Sequence, residues 1–198
     1  MLNLYAEANL PTDFGEFRIM AFSENEKDWM PHIALIAKNT DLNGIVNVRI
    51  HSECITGEVF HSQKCECGQQ LDSAMKYMQE NSGIVIYLRQ EGRNIGIINK
   101  IKAYALQENG LDTVQANLEL GLPADDRDFG VAIEMLEKLG VKSVNLMTNN
   151  PEKLKYIENS NIRLNSRIPL QIKSNDVNAP YLKVKKDYFG HLLDDENS

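Results

Sequence analysis

A single α/β domain built on a mixed sheet is predicted by three features of the sequence. Strand-length apolar runs crowd the first 50 residues, strand and helix patterns alternate from Gly68 onward, and no repeat or low-complexity linker interrupts the 198 residues. The N-terminal strands are expected to pair antiparallel and the later ones to run parallel. The domain is expected to span residues 1–198, with 171–198 peripheral and the acidic end, Asp194, Asp195 and Glu196, disordered.

The elements follow in order. Residues 17–22, 33–37 and 45–50 are apolar runs of strand length, and Asn43-Gly44 between the last two is a hairpin-turn signal. Leu71, Ala74, Met75 and Met78 recur at i, i+3, i+4, i+7 and predict a helix opening just after Cys67. Residues 84–88 form a short buried strand. Ile97, Ile101 and Tyr104 share a helical face that stops near Gly110, and Phe129, Ala132, Ile133, Leu136 and Leu139 repeat the pattern up to Gly140, a C-terminal cap. Residues 144–147 read as a strand. Asn150-Pro151 starts a helix carrying Leu154 and Ile157, and 162–170 is extended.

Composition narrows the function classes. Twenty-one Lys and Arg against 28 Asp and Glu give a net charge of −7, which argues against a protein that holds nucleic acid by bulk attraction. No stretch approaches the roughly 18 apolar residues of a membrane span, and the first residues show no export signal, so the cytoplasm is the expected compartment. In that setting three cysteines point to a metal or to catalysis before a disulfide.

Cys54 and the Cys65-Glu66-Cys67-Gly68 segment supply three soft ligands suited to zinc. Three protein ligands leave a position open for catalysis, unless His51 or His61 closes the set; three buried, inert cysteines would show the same spacing. Arg89-Gln90-Glu91-Gly92-Arg93-Asn94-Ile95-Gly96 lies where a strand passes into a helix, which suits a phosphate, or a glycine turn with solvated arginines. Arg49 and Lys64 add cations near the cysteines. Asp125-Asp126-Arg127-Asp128 precedes a helix, where acids commonly cap, and Thr148-Asn149-Asn150-Pro151-Glu152-Lys153 suits either a nucleotide or an Asn-rich turn.

Taken together, the Arg49-Ile50-His51-Ser52-Glu53-Cys54, Cys65-Glu66-Cys67-Gly68, Arg89 to Arg93, Asp125 to Arg127 and Thr148 to Lys153 segments closely resemble GTP cyclohydrolase II, the enzyme that opens riboflavin biosynthesis. The resemblance runs from about residue 5 to 170. It implies hydrolysis of GTP to 2,5-diamino-6-(5-phosphoribosylamino)pyrimidin-4(3H)-one, formate and diphosphate, with one Zn²⁺ per subunit, Mg²⁺ on the triphosphate, and a homodimer. By the same resemblance Cys54, Cys65 and Cys67 are the zinc ligands. Arg49, Ile50, His51, Ser52, Glu53, Gln70, Glu91, Gly92, Arg93, Thr113, Thr148 and Lys153 contact GTP, with Gln70 and Glu91 the candidates for the guanine edge. Asp125 is the proton acceptor, Arg127 the nucleophile, and Tyr104 occupies a position whose replacement accompanies relatives that stop after ring opening. Lys64 and Glu66 stand where Arg and Asp are usual. An enzyme halting at the formamidopyrimidine, or a zinc-stabilised nucleotide-binding homologue without catalysis, carries the same features.

Overall fold

In the computed structural model, which describes residues 1–193, the chain opens with a hairpin. Strands β1 (Asn3–Thr12) and β2 (Gly15–Ser23) pair antiparallel around Asp13-Phe14, and Gly15 takes φ +127°, a backbone state that side chains oppose. Strand β1 is almost wholly exposed, although Leu4, Ala6, Ala8 and Leu10 alternate with Tyr5, Glu7 and Asn9 along it. Strand β2 continues antiparallel to β3 (His32–Ala37).

Asn43-Gly44 does not form the hairpin that the sequence predicts. Strand β5 (Gly83–Leu88) lies between β3 and β4 (Ile45–Ser52), antiparallel to the first and parallel to the second. A type I′ turn needs left-handed backbone at both central residues, and neither Asn43 nor Gly44 has it. Instead the Asp41 carboxylate accepts the Asn43 N–H at 3.0 Å, a local turn that lets the chain pass on. The competing demand comes from β5, whose residues 84–86 and 88 are fully buried and therefore require a neighbour on both sides.

From β4 the sheet is parallel, through β6 (Ser143–Met147) and β7 (Arg163–Ile168), giving the order β1-β2-β3-β5-β4-β6-β7. Helices α1 (Ile55–Glu58) and α2 (Cys67–Asn81) connect β4 to β5; α3 (Gly96–Glu108), α4 (Thr113–Glu119) and α5 (Gly130–Lys138) connect β5 to β6; α6 (Pro151–Glu158) leads to β7, and α7 (Ala179–Asp187) follows it. Ala74 and Met78 of α2 pack with Val85 and Met147 on one face of the sheet. Phe129, Ala132, Met135 and Leu136 at α5 pack with Val48, Ile50, Ile86 and Leu146 on the other. Helix α6, whose Ile157 joins the α5 cluster, leaves β6 on that second face while α2 follows β4 on the first, and a crevice opens beyond the C-terminal ends of these two strands, where open α/β sheets bind ligands.

Helix α4 is announced by a capping box, Asp112 with Gln115, that periodicity alone overlooks. The segment after residue 170 is not peripheral: α7 packs on the crevice, with Lys185 and Asn178 buried. The acidic residues 194–196 lie outside the described residues. No helix among those described is long and apolar enough to cross a membrane.

Because the Gly44 backbone is ordinary and a Cβ there would meet its nearest atom at 3.6 Å, Gly44→Ala should stabilise the protein by about 0.4–1 kcal/mol in urea unfolding. A loss of stability would instead indicate the primed turn.

Candidate active site

Two connected cavities fill the crevice, sharing Ser52, Cys67, Arg93, Arg127 and Tyr181. The larger, 360 Å³, is bounded by the cysteines, Glu53, Lys100, Tyr104 and Thr113. Here the sulfurs of Cys54, Cys65 and Cys67 lie within 4.8 Å of one another, with Cys54 and Cys65 3.6 Å apart. Three sulfurs on a tetrahedral zinc with bonds of about 2.3 Å would stand roughly 3.8 Å apart, so the trio fits that ion. Neither His51 nor His61 joins the cluster among the described residues, which leaves a fourth position open.

The fit depends on glycine. A Cβ on Gly57 would sit 2.8 Å from the Cys65 sulfur and 3.4 Å from that of Cys54, and one on Gly68 would strike the Gly57 carbonyl at 2.4 Å. The loop is braced by a buried carboxylate that the sequence did not point to. Glu58 accepts the Cys54 N–H at 2.8 Å and the Tyr87 hydroxyl at 2.5 Å, and its oxygen lies 2.9 Å from His51 Nε2. Burial drives the His51 pKa down to about 4, so this ring is neutral at physiological pH.

Lys100, also unpredicted, places its ammonium 3.1 Å from the Cys54 sulfur and 2.8 Å from Glu91. Glu91 further accepts the N–H groups of Ile55 and Gly92 at 2.6 and 2.7 Å. Its carboxylate thus holds two loops together. Tyr104 directs its hydroxyl toward Thr56, 3.4 Å away, beneath the Lys64 ammonium 4.4 Å from its ring. Ser52 Oγ and Gln90 Oε1, at the rim of this cavity, are buried with no hydrogen-bond partner, as groups that await a ligand would be.

The smaller cavity, 80 Å³, is lined by Arg49, Arg93, Arg127, Lys153 and Lys185 without one acidic residue. Strand alternation delivers Arg49 to the α2 face of β4, where its guanidinium donates to Gln70 Oε1 at 2.9 Å and to the Met147 carbonyl at 3.2 Å. Gln70 in turn donates to Glu66 at 3.2 Å, so it too is engaged with protein. Lys153 donates to the Ile50 carbonyl at 2.9 Å; the Ile50 side chain itself belongs to the core. Burial, then the charges of Arg49, Arg127 and Lys185, holds the Lys153 ammonium well below the usual lysine range. Loss of the Lys153 proton or the arrival of an anion would relieve such a cluster. Thr148 closes this end, its hydroxyl accepting the Asn150 N–H at 3.0 Å.

Arg127 and Asp125 form a two-pronged pair, with Nε 2.8 Å from Oδ1 and a second bond from NH2 to Oδ2. Burial alone would raise the carboxyl and lower the guanidinium, but the pairing wins on both sides: Asp125 is held below its ordinary value and Arg127 above. Arg127 is therefore firmly protonated. Gly92, Arg93 and Asn94 all take positive φ, with Gly92 at +63° and Arg93 at +60°. Left-handed backbone at two non-glycine residues is costly and is typical of ligand-holding loops. It turns Arg93 between the Ala124 carbonyl at 3.3 Å and the Phe189 ring at 4.2 Å.

The predicted site residues thus meet beyond the C-terminal ends of the strands, where all but Ile50, Glu91 and Asp125 line the cavities and Asp125 stands behind Arg127. Lys64 borders the cysteine end and not the cationic one. Tyr181, Lys185 and His191 went unnoticed because nothing local ties them to loops more than 30 residues away; only the i, i+4 spacing of the first two was visible.

Comparison with known proteins places this geometry in a context. The family described as GTP cyclohydrolase II matches residues 3–169. GTP cyclohydrolase-2 of Campylobacter fetus is 50% identical over 188 residues, covering 95% of this chain and 94% of that protein. The enzyme of the same name from Buchnera aphidicola is 48% identical over 193 residues, 97% and 99% of the two chains. Riboflavin biosynthesis protein RibBA of Chlorobium phaeovibrioides is 47% identical over 94% of this chain and 46% of its own length. Among solved structures, RibBX, a two-domain 3,4-dihydroxy-2-butanone 4-phosphate synthase from A. baumannii, aligns at 16% identity and TM-score 0.47 over 87% of this chain and 40% of that one.

The cysteine trio also yields a pH prediction. Hydrogen bonds from the Cys65 and Cys67 thiols pull Cys54 far below the ordinary thiol range, and the same bonds push Cys65 up to about 11 and Cys67 well above its ordinary value. At neutral pH the metal-free trio therefore holds one thiolate and two thiols. Loading with Zn²⁺ should release two protons in weak buffer, and affinity should rise with pH between about 6 and 8. Loading without proton release would exclude the thiols as ligands.

Proposed function

The chain belongs to the GTP cyclohydrolase II family, hydrolases of riboflavin biosynthesis, and on that premise we propose that it hydrolyses GTP to the 2,5-diaminopyrimidinone ribosyl phosphate, formate and diphosphate. One observation carries the reading: a single crevice joins a cysteine trio with an open ligand position to a cavity walled by five cations. A purine nucleoside triphosphate spans such a crevice with its five-membered ring at the sulfurs and its phosphates at the cations.

A zinc ion held by Cys54, Cys65 and Cys67 would supply Lewis acidity for the two hydrolyses at guanine C8. The protein supplies the rest. Lys100, in contact with the Cys54 sulfur, offsets the net negative charge that three thiolates give such a centre. Tyr104 and Glu53 line the same cavity and are placed to orient water and to exchange protons with the opening ring. Burial raises the pKa of both, so the Tyr104 hydroxyl stays a donor and Glu53 takes up a proton more readily than an exposed carboxylate does. Ser52 and Gln90 offer their unpaired atoms to the nucleoside.

Diphosphate loss is a separate displacement at the α-phosphorus. Arg93 and Lys153 neutralise the leaving group, and Mg²⁺ bound to the triphosphate would add to that charge. Arg127, kept protonated by Asp125, acts through its charge; covalent attack would first require transfer of its proton to that carboxylate. The reading includes a cytoplasmic homodimer, for which α3 leaves Ile98 and Ile101 exposed.

Turnover of GTP followed by pyrimidine absorbance, formate and diphosphate tests the whole reading, and inert protein would overturn it. Cys65→Ser should abolish zinc binding and formate release together; formate formed at the wild-type rate by zinc-free variant would refute the metal's role. Rapid quench with labelled GTP should trap no phosphoguanylyl adduct, and an adduct lost in Arg127→Ala would establish covalency instead.

A further inference from the structure

The family match ends at residue 169, yet α7 and the residues after it touch three separate loops of the crevice. Lys185 Nζ lies 2.6 Å from Glu66, between two of the cysteines. The Leu192 N–H donates to the Asn149 carbonyl at 2.8 Å, in the loop after β6, and the Phe189 ring lies 4.2 Å from the Arg93 guanidinium, in the loop after β5. Tyr181 and Lys185, one helical turn apart, face the crevice, with the ammonium 4.6 Å from the ring. His191 completes the wall of the cationic cavity.

A structural helix gains nothing by burying a lysine beside three other cations. Glu66 answers one charge; Arg49 and Lys153 have only neutral partners. An ammonium carries three donors, so Lys185 can keep Glu66 and still offer an N–H to an anion. His191 adds no charge of its own, because burial and then Lys185 and Arg127 depress its pKa to about 2.

We propose that residues 178–193 are a strap that closes the cationic end over the triphosphate of GTP, with Lys185 contributing a phosphate contact beside those of Arg93 and Lys153. The inference rests on the GTP reading above. The 80 Å³ cationic cavity shares five wall residues with the larger one, so the phosphates enter from the nucleoside side and the strap tightens on them.

The test is calorimetric binding of α,β-methylene-GTP and of GMP to zinc-loaded, full-length protein. Lys185→Met should weaken the triphosphate analogue about tenfold, shift GMP by less than about twofold, and be largely rescued by Lys185→Arg. Equal loss for both ligands, or no loss, overturns the contact. Lys153→Met separates the two layers: if it too leaves analogue affinity intact, the phosphates lie elsewhere and the GTP reading of this cavity fails. Wild type gives an independent measure, because tryptic cleavage at the exposed Lys183 should slow with the analogue and not with GMP. Cleavage at an unchanged rate would rule out closure.

Discussion

Three sulfur atoms held within 4.8 Å of one another cannot all carry charge without a cation among them, and three buried basic side chains a short distance away, Arg49, Lys153 and Lys185, favour an anion beside them. Most of the structure around the crevice serves to keep these two unsatisfied groups side by side and apart. Asp125 and Glu66 each neutralise one cation, and Lys100 one sulfur. What remains uncompensated is complementary to an ion at one end and to phosphates at the other.

The fold achieves this with very little chain. Alternation along β4 sends Val48 and Ile50 into the core under α5 and Arg49 and His51 beneath α2, so one strand serves both the packing and the site. Glu58, one turn beyond Cys54, ties that strand's histidine to the cysteine loop and to Tyr87 of β5. Opposite crossovers at β4 and β6 then open the space between them.

Much of this was legible in the sequence where the signal is local. The helix after Cys67, the buried β5 and the Asn150-Pro151 start follow from spacing and capping, and the cysteine trio was visible as a possible ligand set. The hairpin at Asn43-Gly44 misled because turn chemistry says nothing about a third strand competing for the same edge. Strand β1 does alternate, at Leu4, Ala6, Ala8 and Leu10, but two alanines make a weak apolar face and the structure leaves the strand exposed. Glu58, Lys100 and Lys185 belong to no local motif; their roles come from contacts with residues 4, 46 and 119 positions away, of which only the first is within reach of a helical pattern.

The account stands or falls on how the metal is held. Zinc K-edge absorption of the zinc-loaded, nucleotide-free protein should show three sulfurs at about 2.3 Å and a single oxygen at roughly 2.0–2.2 Å, with no imidazole scattering. Fewer than three sulfurs, or a histidine in the fourth position, would contradict it.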